Sequence, residues 1–263
     1  MSLDPSPSPS PGEIPPEARS GLPLVFDPPV GDVRLLPATS DQPLALAVPR
    51  RDVLVVAGLP GAGKTTLLRE VAGAGDLVLD PQQLGDRLTR KLPAWIPYRC
   101  YRPVVHVWHR GGVVVRLVRG DDGLIIHEPG GRPRWRRRLV RLARRRGSAV
   151  HLLVVRADPR QAEEGRIGRQ RTLPKGRVAR HEAEWADMLE EIAHGWATSR
   201  LAAEGFAGCT LLPRSAVPYM TTLRRPVEVV LPGPVITSSN ESGSSSNESG
   251  SSPQRPRRRA SRR

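Results

Sequence analysis

Cysteine is scarce in this chain: two residues in 263, Cys100 and Cys209, far apart and in no Cys-x-x-Cys arrangement. Two isolated thiols make no disulfide framework, which argues against a small stapled secreted fold and for a reducing compartment. No apolar run approaches the roughly 18 residues of a membrane span, and no basic then apolar stretch opens the N-terminus. A soluble cytoplasmic protein without membrane contact is therefore expected. Aromatic residues are only 4% of the chain, and only Lys64, Lys91 and Lys175 of the 41 basic residues are lysine. That arginine skew, beside 28 prolines and 25 glycines, has the look of GC-rich coding bias. The net charge of +15 is thus weak evidence for a nucleic-acid partner.

What is present divides the chain unevenly. Residues 1–20 are Pro- and Ser-rich, and residues 238–263 combine a Ser/Asn/Gly repeat with an arginine tail, six arginines in the last eleven residues. Neither end can bury enough apolar surface to offset its ordering entropy, so both are expected to be disordered. Residues 21–50 read as an extended lead-in with a strand near Leu44–Val48, residues 51–215 as the folded domain, and residues 216–237 as a C-terminal extension. Within the domain, apolar runs at Val53–Ala57, Leu77–Leu79, Gly123–Ile126, Val150–Val155 and Cys209–Leu212 alternate with helical stretches. The helices are expected at Thr65–Ala72, Pro81–Arg90, Val104–Arg119, Trp135–Arg146, Pro159–Arg171 and Val178–His194. Strands alternating with helices predict an α/β fold with a mostly parallel five-stranded sheet between helical layers.

One motif carries chemistry. Gly58, Leu59, Pro60, Gly61, Ala62, Gly63, Lys64, Thr65 and Thr66 read GLPGAGKTT and satisfy G-x-x-x-x-G-K-[ST], the Walker A phosphate loop, between a strand and a helix. The glycines let successive N–H groups turn inward around a phosphate, and the helix that follows adds its positive end. Lys64 can bridge β- and γ-phosphate oxygens, and the Thr65 hydroxyl can ligate Mg²⁺, so ATP and Mg²⁺ are the expected ligands. There is no Asn-Lys-x-Asp guanine-reading motif, no ABC-type signature, and no strand ending in Asp-Glu. These absences favour a small kinase-like domain over GTPases, transporter ATPases and AAA or RecA motors.

GLPGAGKTT, then VLDPQQ around Asp80, IIHEPGGRPRWRRRLVRLARRRG and VHLLVVRADPRQAEEGRIGRQRT together resemble the AAA family ATPase proteins common in actinobacteria. Those are similar to the zeta-toxin and polynucleotide-kinase-like branch of P-loop kinases, and the resemblance spans about residues 50–195. It implies that Asp80, closing the second strand, acts as general base on an acceptor hydroxyl. It also implies that Arg166, Arg169 and Arg171 form a lid over the nucleotide, Arg166 and Arg169 sharing a helix face. An aspartate that often helps hold Mg²⁺ at the third strand is replaced here by His127 and Glu128, so either Glu128 substitutes or Thr65 and the phosphates suffice.

Further signals are looser. Nine arginines fall between Arg132 and Arg146 with no acid among them, which suits either an anion groove or the solvated face of a helix with Trp135, Leu139, Leu142 and Ala143 inward. Asp80 followed by proline also suits a helix cap. His106 and His109 have helical spacing without a third ligand. The expectation is an ATP-binding kinase-like NTPase acting on a small hydroxyl-bearing or protein acceptor, or on water. Its rivals are a non-catalytic nucleotide sensor and a polynucleotide 5′-end kinase.

Overall fold

The computed structural model describes residues 22–93, 95–96, 98–128, 132–167 and 175–226. All lie in one compact unit, Met1–Glu228. The terminal segments 1–20 and 238–263 fall outside the described residues.

The core is a parallel sheet. β4 (Val53–Ala57) is five apolar residues, every one buried, as a strand covered on both faces requires. Each such valine or leucine contributes about 1.5–3 kcal/mol by leaving water. β4 pairs in parallel with β6 (Leu124–His127) on one side and β7 (Val150–Arg156) on the other. β5 (Leu77–Leu79) extends the sheet beyond β6, and β8 (Gly208–Pro213) and β2 (Val33–Leu35) extend it beyond β7. The order β2-β8-β7-β4-β6-β5 is wholly parallel.

The chain leaves β4 through α1 (Lys64–Val71) to the edge strand β5. It returns through α2 (Pro81–Lys91) and α3 (Tyr98–Arg119) to β6, then crosses by α4 (Pro133–Arg145) to β7. Progress along the sheet reverses around β4, which opens a crevice at the carboxyl ends of β4 and its neighbours, where ligands of open α/β sheets bind. From β7 the chain continues through α5 (Pro159–Ile167), α6 (Lys175–His194) and α7 (Arg200–Glu204) to β8. Right-handed crossovers put α1 on one face and α3, α4 and α7 on the other, in keeping with the α3–α4 and α4–α7 contacts.

Five central strands stand where the apolar runs place them, and the strand expected near Leu44–Val48 is present as Leu44–Ala47; the sixth central strand and the pairing that makes a second sheet do not appear in the sequence pattern. β2 is three residues, none buried, with Arg34 at its middle, so it gives no apolar run. The lead-in supplies two more strands, β1 (Leu24–Phe26) and β3 (Leu44–Ala47), which pair in parallel with each other and with β9 (Met220–Arg224). β9 packs on α1 and covers that face of the main sheet. α3 also starts earlier than expected, at Tyr98, with Pro103 inside it. Its first turn is tied to α2 by a 2.6 Å hydrogen bond between the Tyr101 and Thr89 hydroxyls, which offsets the backbone bond that proline removes.

α4 resolves its two readings at the level of packing. Trp135, Leu139, Val140 and Ala143 are buried, and Arg136 is buried with them in a two-pronged pair with Glu204 of α7, at 2.6 and 2.8 Å. The outward arginines Arg134, Arg137, Arg138, Arg141, Arg144 and Arg145 are exposed. Among the described residues no helix is long and apolar enough to cross a membrane.

Candidate functional site

The loop from Gly58 to Gly63 joins β4 to α1 in a conformation that only glycines allow at its key points. Gly58, Gly61 and Gly63 have φ of 137°, 92° and 104°, in the left-handed region. Space is tight as well: a Cβ on Gly58 would meet the Val155 carbonyl oxygen at 2.5 Å, and one on Gly61 would overlap the Ala162 carbonyl oxygen. Leu59 and Ala62 turn into the core. Helix α1 then begins at Lys64 with no side-chain cap, which leaves its first-turn N–H groups for an anion. Lys64 is only 5% exposed, and its Nζ donates to the Gly58 and Leu59 carbonyl oxygens, each at 2.8 Å.

α5 lies against this loop. Gly165 approaches so closely that a Cβ there would overlap the Gly61 carbonyl oxygen. Arg166 bends back over the loop, 11% exposed in its side chain, with Nη1 3.4 Å from the Pro60 carbonyl oxygen and 3.9 Å from Glu182 Oε1 of α6. Arg169 and Arg171 lie outside the described residues. Arg214, just after β8, donates from Nη1 to the Gly61 carbonyl oxygen at 2.7 Å and to the Gln161 carbonyl oxygen, pinning the loop to α5.

A second group of side chains gathers at the ends of β5 and β6. Asp80 follows β5 directly and is 6% exposed. Its Oδ1 accepts the Gln82 amide at 2.8 Å, capping α2, and also the His127 ring at 2.8 Å. Because a carboxylate only accepts, the proton sits on His127 Nδ1. Burial pushes the Asp80 carboxyl up, but the His127 hydrogen bond and charge and the Gln82 amide outweigh it and hold the group below its ordinary value. His109 reaches the same place from α3, and burial pulls it down to about 4 despite the opposing pull of Asp80. Glu128, next along, accepts the Trp135 indole N–H at 2.9 Å, and burial raises its carboxyl above the usual value. Arg110 of α3 stacks over the Trp135 ring, 5.2 Å from its centroid.

A family model described as an AAA domain matches residues 53–194, from the start of β4 to the end of α6. The chain belongs to the AAA domain family. Among solved structures the AAA domain is similar to a candidate kinase from Chloroflexus aurantiacus J-10-fl, at 18% identity over 64% of this chain and 87% of that one, TM-score 0.42. It is similar also to a sugar kinase from Janibacter sp. HTCC2649, at 17% identity over 64% and 90%, TM-score 0.33. A third match, from the PezAT chromosomal toxin-antitoxin system of Streptococcus pneumoniae, has 16% identity over 47% of this chain and TM-score 0.38. The AAA domain chain spans only 54% of that protein's length. No curated protein matches the chain.

In this AAA domain the phosphate loop and the β5–β6 cluster lie at the same, carboxyl edge of the sheet, on β4, β6 and β5 in spatial order. The loop leaves backbone N–H groups at the start of α1 open to an anion, and Asp80 presents a carboxylate at the end of β5, with β6 between it and the loop's strand. Sequence reasoning did not find Arg214, which in so arginine-rich a chain carries no distinguishing signal. It also treated His109 only as half of a metal pair. Its proximity to Asp80 depends on how α3 packs against β5, which no local pattern reveals. Among the described residues no three His, Cys, Asp or Glu side chains are grouped to hold a metal ion.

Proposed function

We propose that this AAA domain binds ATP with Mg²⁺ and transfers the γ-phosphoryl group to a hydroxyl-bearing acceptor or to water. The observation that carries the reading is Asp80, fixed by His127 and Gln82 through one oxygen at the strand end beside the phosphate loop's own edge. The loop suits the phosphates because the positive-φ glycines and the uncapped α1 N-terminus leave backbone N–H groups for anion binding. Lys64 exchanges the Gly58 and Leu59 carbonyls for β- and γ-phosphate oxygens, a short swing for a side chain already at the loop. Thr65 at the start of α1 would hold Mg²⁺, which draws charge from the phosphate oxygens when bound. Glu128 gives one oxygen to Trp135 and burial favours its neutral form, so we place the weight on Thr65 and the phosphates rather than on Glu128.

In the transfer, the acceptor oxygen forms a bond to the γ-phosphorus as the bridging P–O bond breaks. ADP departs with that electron pair, and the hydroxyl proton passes to Asp80. Arg166 sits over the loop where a guanidinium can neutralise charge on the transferring group; the lid role of Arg169 and Arg171 rests on the resemblance alone. The test is MgATP with a panel of hydroxyl acceptors, following ADP and the phosphorylated product. ATP that binds yet yields no ADP with water or any acceptor removes the enzymatic reading and leaves the nucleotide sensor. The exposed arginine face of α4 favours one second reading, a polynucleotide 5′ end as acceptor. Salt-dependent oligonucleotide binding that survives loss of residues 238–263 supports it.

A further inference from the structure

Five nitrogens on buried side chains have no hydrogen-bond partner among the described residues: His109 Nε2, His127 Nε2, His151 Nδ1, and both Nη atoms of Arg225. They divide by place. His151 opens β7 and pairs through its other nitrogen with Asp52, and Arg225 pairs with Asp76 just before β5. Those two sit at the amino edge of the sheet, away from the phosphate loop. His109 and His127 join Asp80 at the carboxyl edge, the ligand side.

An orphaned buried polar atom forfeits its hydration without a hydrogen bond in return, and native proteins seldom keep one without a use. Two beside the proposed general base form a concentrated, prepaid polar surface. His109 is 8% exposed and His127 6%, so the two rings are held by packing rather than by solvent. Their identity indicates what they would read. With Nδ1 taken by Asp80, His127 Nε2 is the ring nitrogen left to meet a hydroxyl. A neutral His109 ring, favoured by its burial, can donate or accept, again matching a hydroxyl. An anionic group would instead seek guanidinium, and Arg110 of α3, whose charge acts on His109, stacks on the Trp135 ring.

We propose that His109 and His127 form an acceptor subsite beside Asp80 that hydrogen-bonds the non-reacting hydroxyls of a neutral polyhydroxylated substrate. This rests on the phosphotransfer reading above. The two rings contact the substrate and orient it, while Asp80 serves the reacting hydroxyl.

The experiment uses the full chain labelled with ¹⁵N at histidine, loaded with Mg²⁺ and a non-hydrolysable ATP analogue. The ring nitrogens are followed as glycerol, erythritol, ribitol, glucose or myo-inositol is added, with glycerate and glycerol phosphate as anionic comparisons. At least one neutral polyol is expected to shift the Nε2 signals of both His109 and His127 while leaving His151 unmoved. The polyol that does so should also stimulate ADP release from MgATP. His127→Gln and His109→Gln should each raise its KM at least tenfold while the MgATP affinity stays within twofold. The proposal is overturned if no polyol moves either ring, which would mean that trapped water satisfies the nitrogens, or if the anionic compounds move them instead. Acceptor-dependent ADP release with silent histidines overturns the subsite alone and leaves the phosphotransfer reading standing. Polyol shifts with no ADP release from any mixture do the reverse.

Discussion

His109 gives the sharpest quantitative expectation. Its imidazole is buried against β5 and titrates near 4 in the fold, whereas an exposed histidine titrates near 6.5. Burial is the main cause, with the charges of His127, His106 and Arg110 adding to it and Asp80 opposing it. A depressed histidine favours the unprotonated fold. Above about pH 6.5 both states are neutral there and the full stability is present. As pH falls from about 6.5 toward 4 the unfolded chain takes up a proton that the fold refuses, and stability is lost through that window. The gap between 6.5 and about 4, at roughly 1.4 kcal/mol per tenfold, amounts to about 3 kcal/mol once pH reaches 4. Urea unfolding of the parent and of His109→Gln at pH 7.5, 6.5, 5.5 and 4.5 measures it, because the difference between the two chains cancels the titrating groups that do not interact with His109. The variant is expected to lose stability less steeply than the parent below pH 6.5, closing the gap between them by about 2–3 kcal/mol at pH 4.5. Parallel profiles for the two chains would refute the buried, neutral His109.

Three further outcomes follow from named contacts. Glu204→Gln takes the carboxylate out of the two-pronged pair with buried Arg136, so it should cost about 3 kcal/mol and lower Tm by roughly 10 °C in a thermal melt. Gly165→Ala drives a methyl group into the Gly61 carbonyl and should part α5 from the phosphate loop. Its cost is about 1–3 kcal/mol of stability with a matching loss of ATP affinity by calorimetry, whereas Gly176→Ala, in open space on α6, should change neither. Asp80→Asn keeps an acceptor for the Gln82 amide but loses the base. ATP affinity should hold while acceptor-dependent turnover drops at least about 100-fold, and turnover at the parent rate would remove Asp80 from the chemistry.

The sequence made the central machinery legible because it is local. A buried parallel strand must be continuously apolar, and Val53–Ala57 is; a phosphate loop must have glycines at its left-handed turns, and Gly58, Gly61 and Gly63 are there. Asp80 was visible for the same reason, as an acid closing a short apolar run before a helix-starting proline. What stayed hidden depends on pairings far apart in the chain. β2 and β1 are three-residue strands without a buried alternation, and they exist because β8 and β3 supply their partners. β9 lies in what reads as a trailing extension, yet it returns to pair with β3 across more than half the chain. The contacts of His127 with Asp80, of Arg136 with Glu204 and of Arg214 with Gly61 join residues 47, 68 and 153 positions apart. In a chain with 41 basic residues, no local rule separates the arginine that pins a loop from those that face water.

The phosphate loop of this AAA domain is claimed to hold ATP for transfer of its γ-phosphoryl group. The most direct measurement is ³¹P NMR of MgATP incubated with the full chain, and with its Lys64→Ala variant, in the presence of the polyol panel. The parent is predicted to convert the γ-phosphate resonance into inorganic phosphate or a phosphomonoester, and the variant to do so at least about 100-fold more slowly. An unchanged γ-phosphate signal in the parent, under conditions where ATP is bound, would contradict the account.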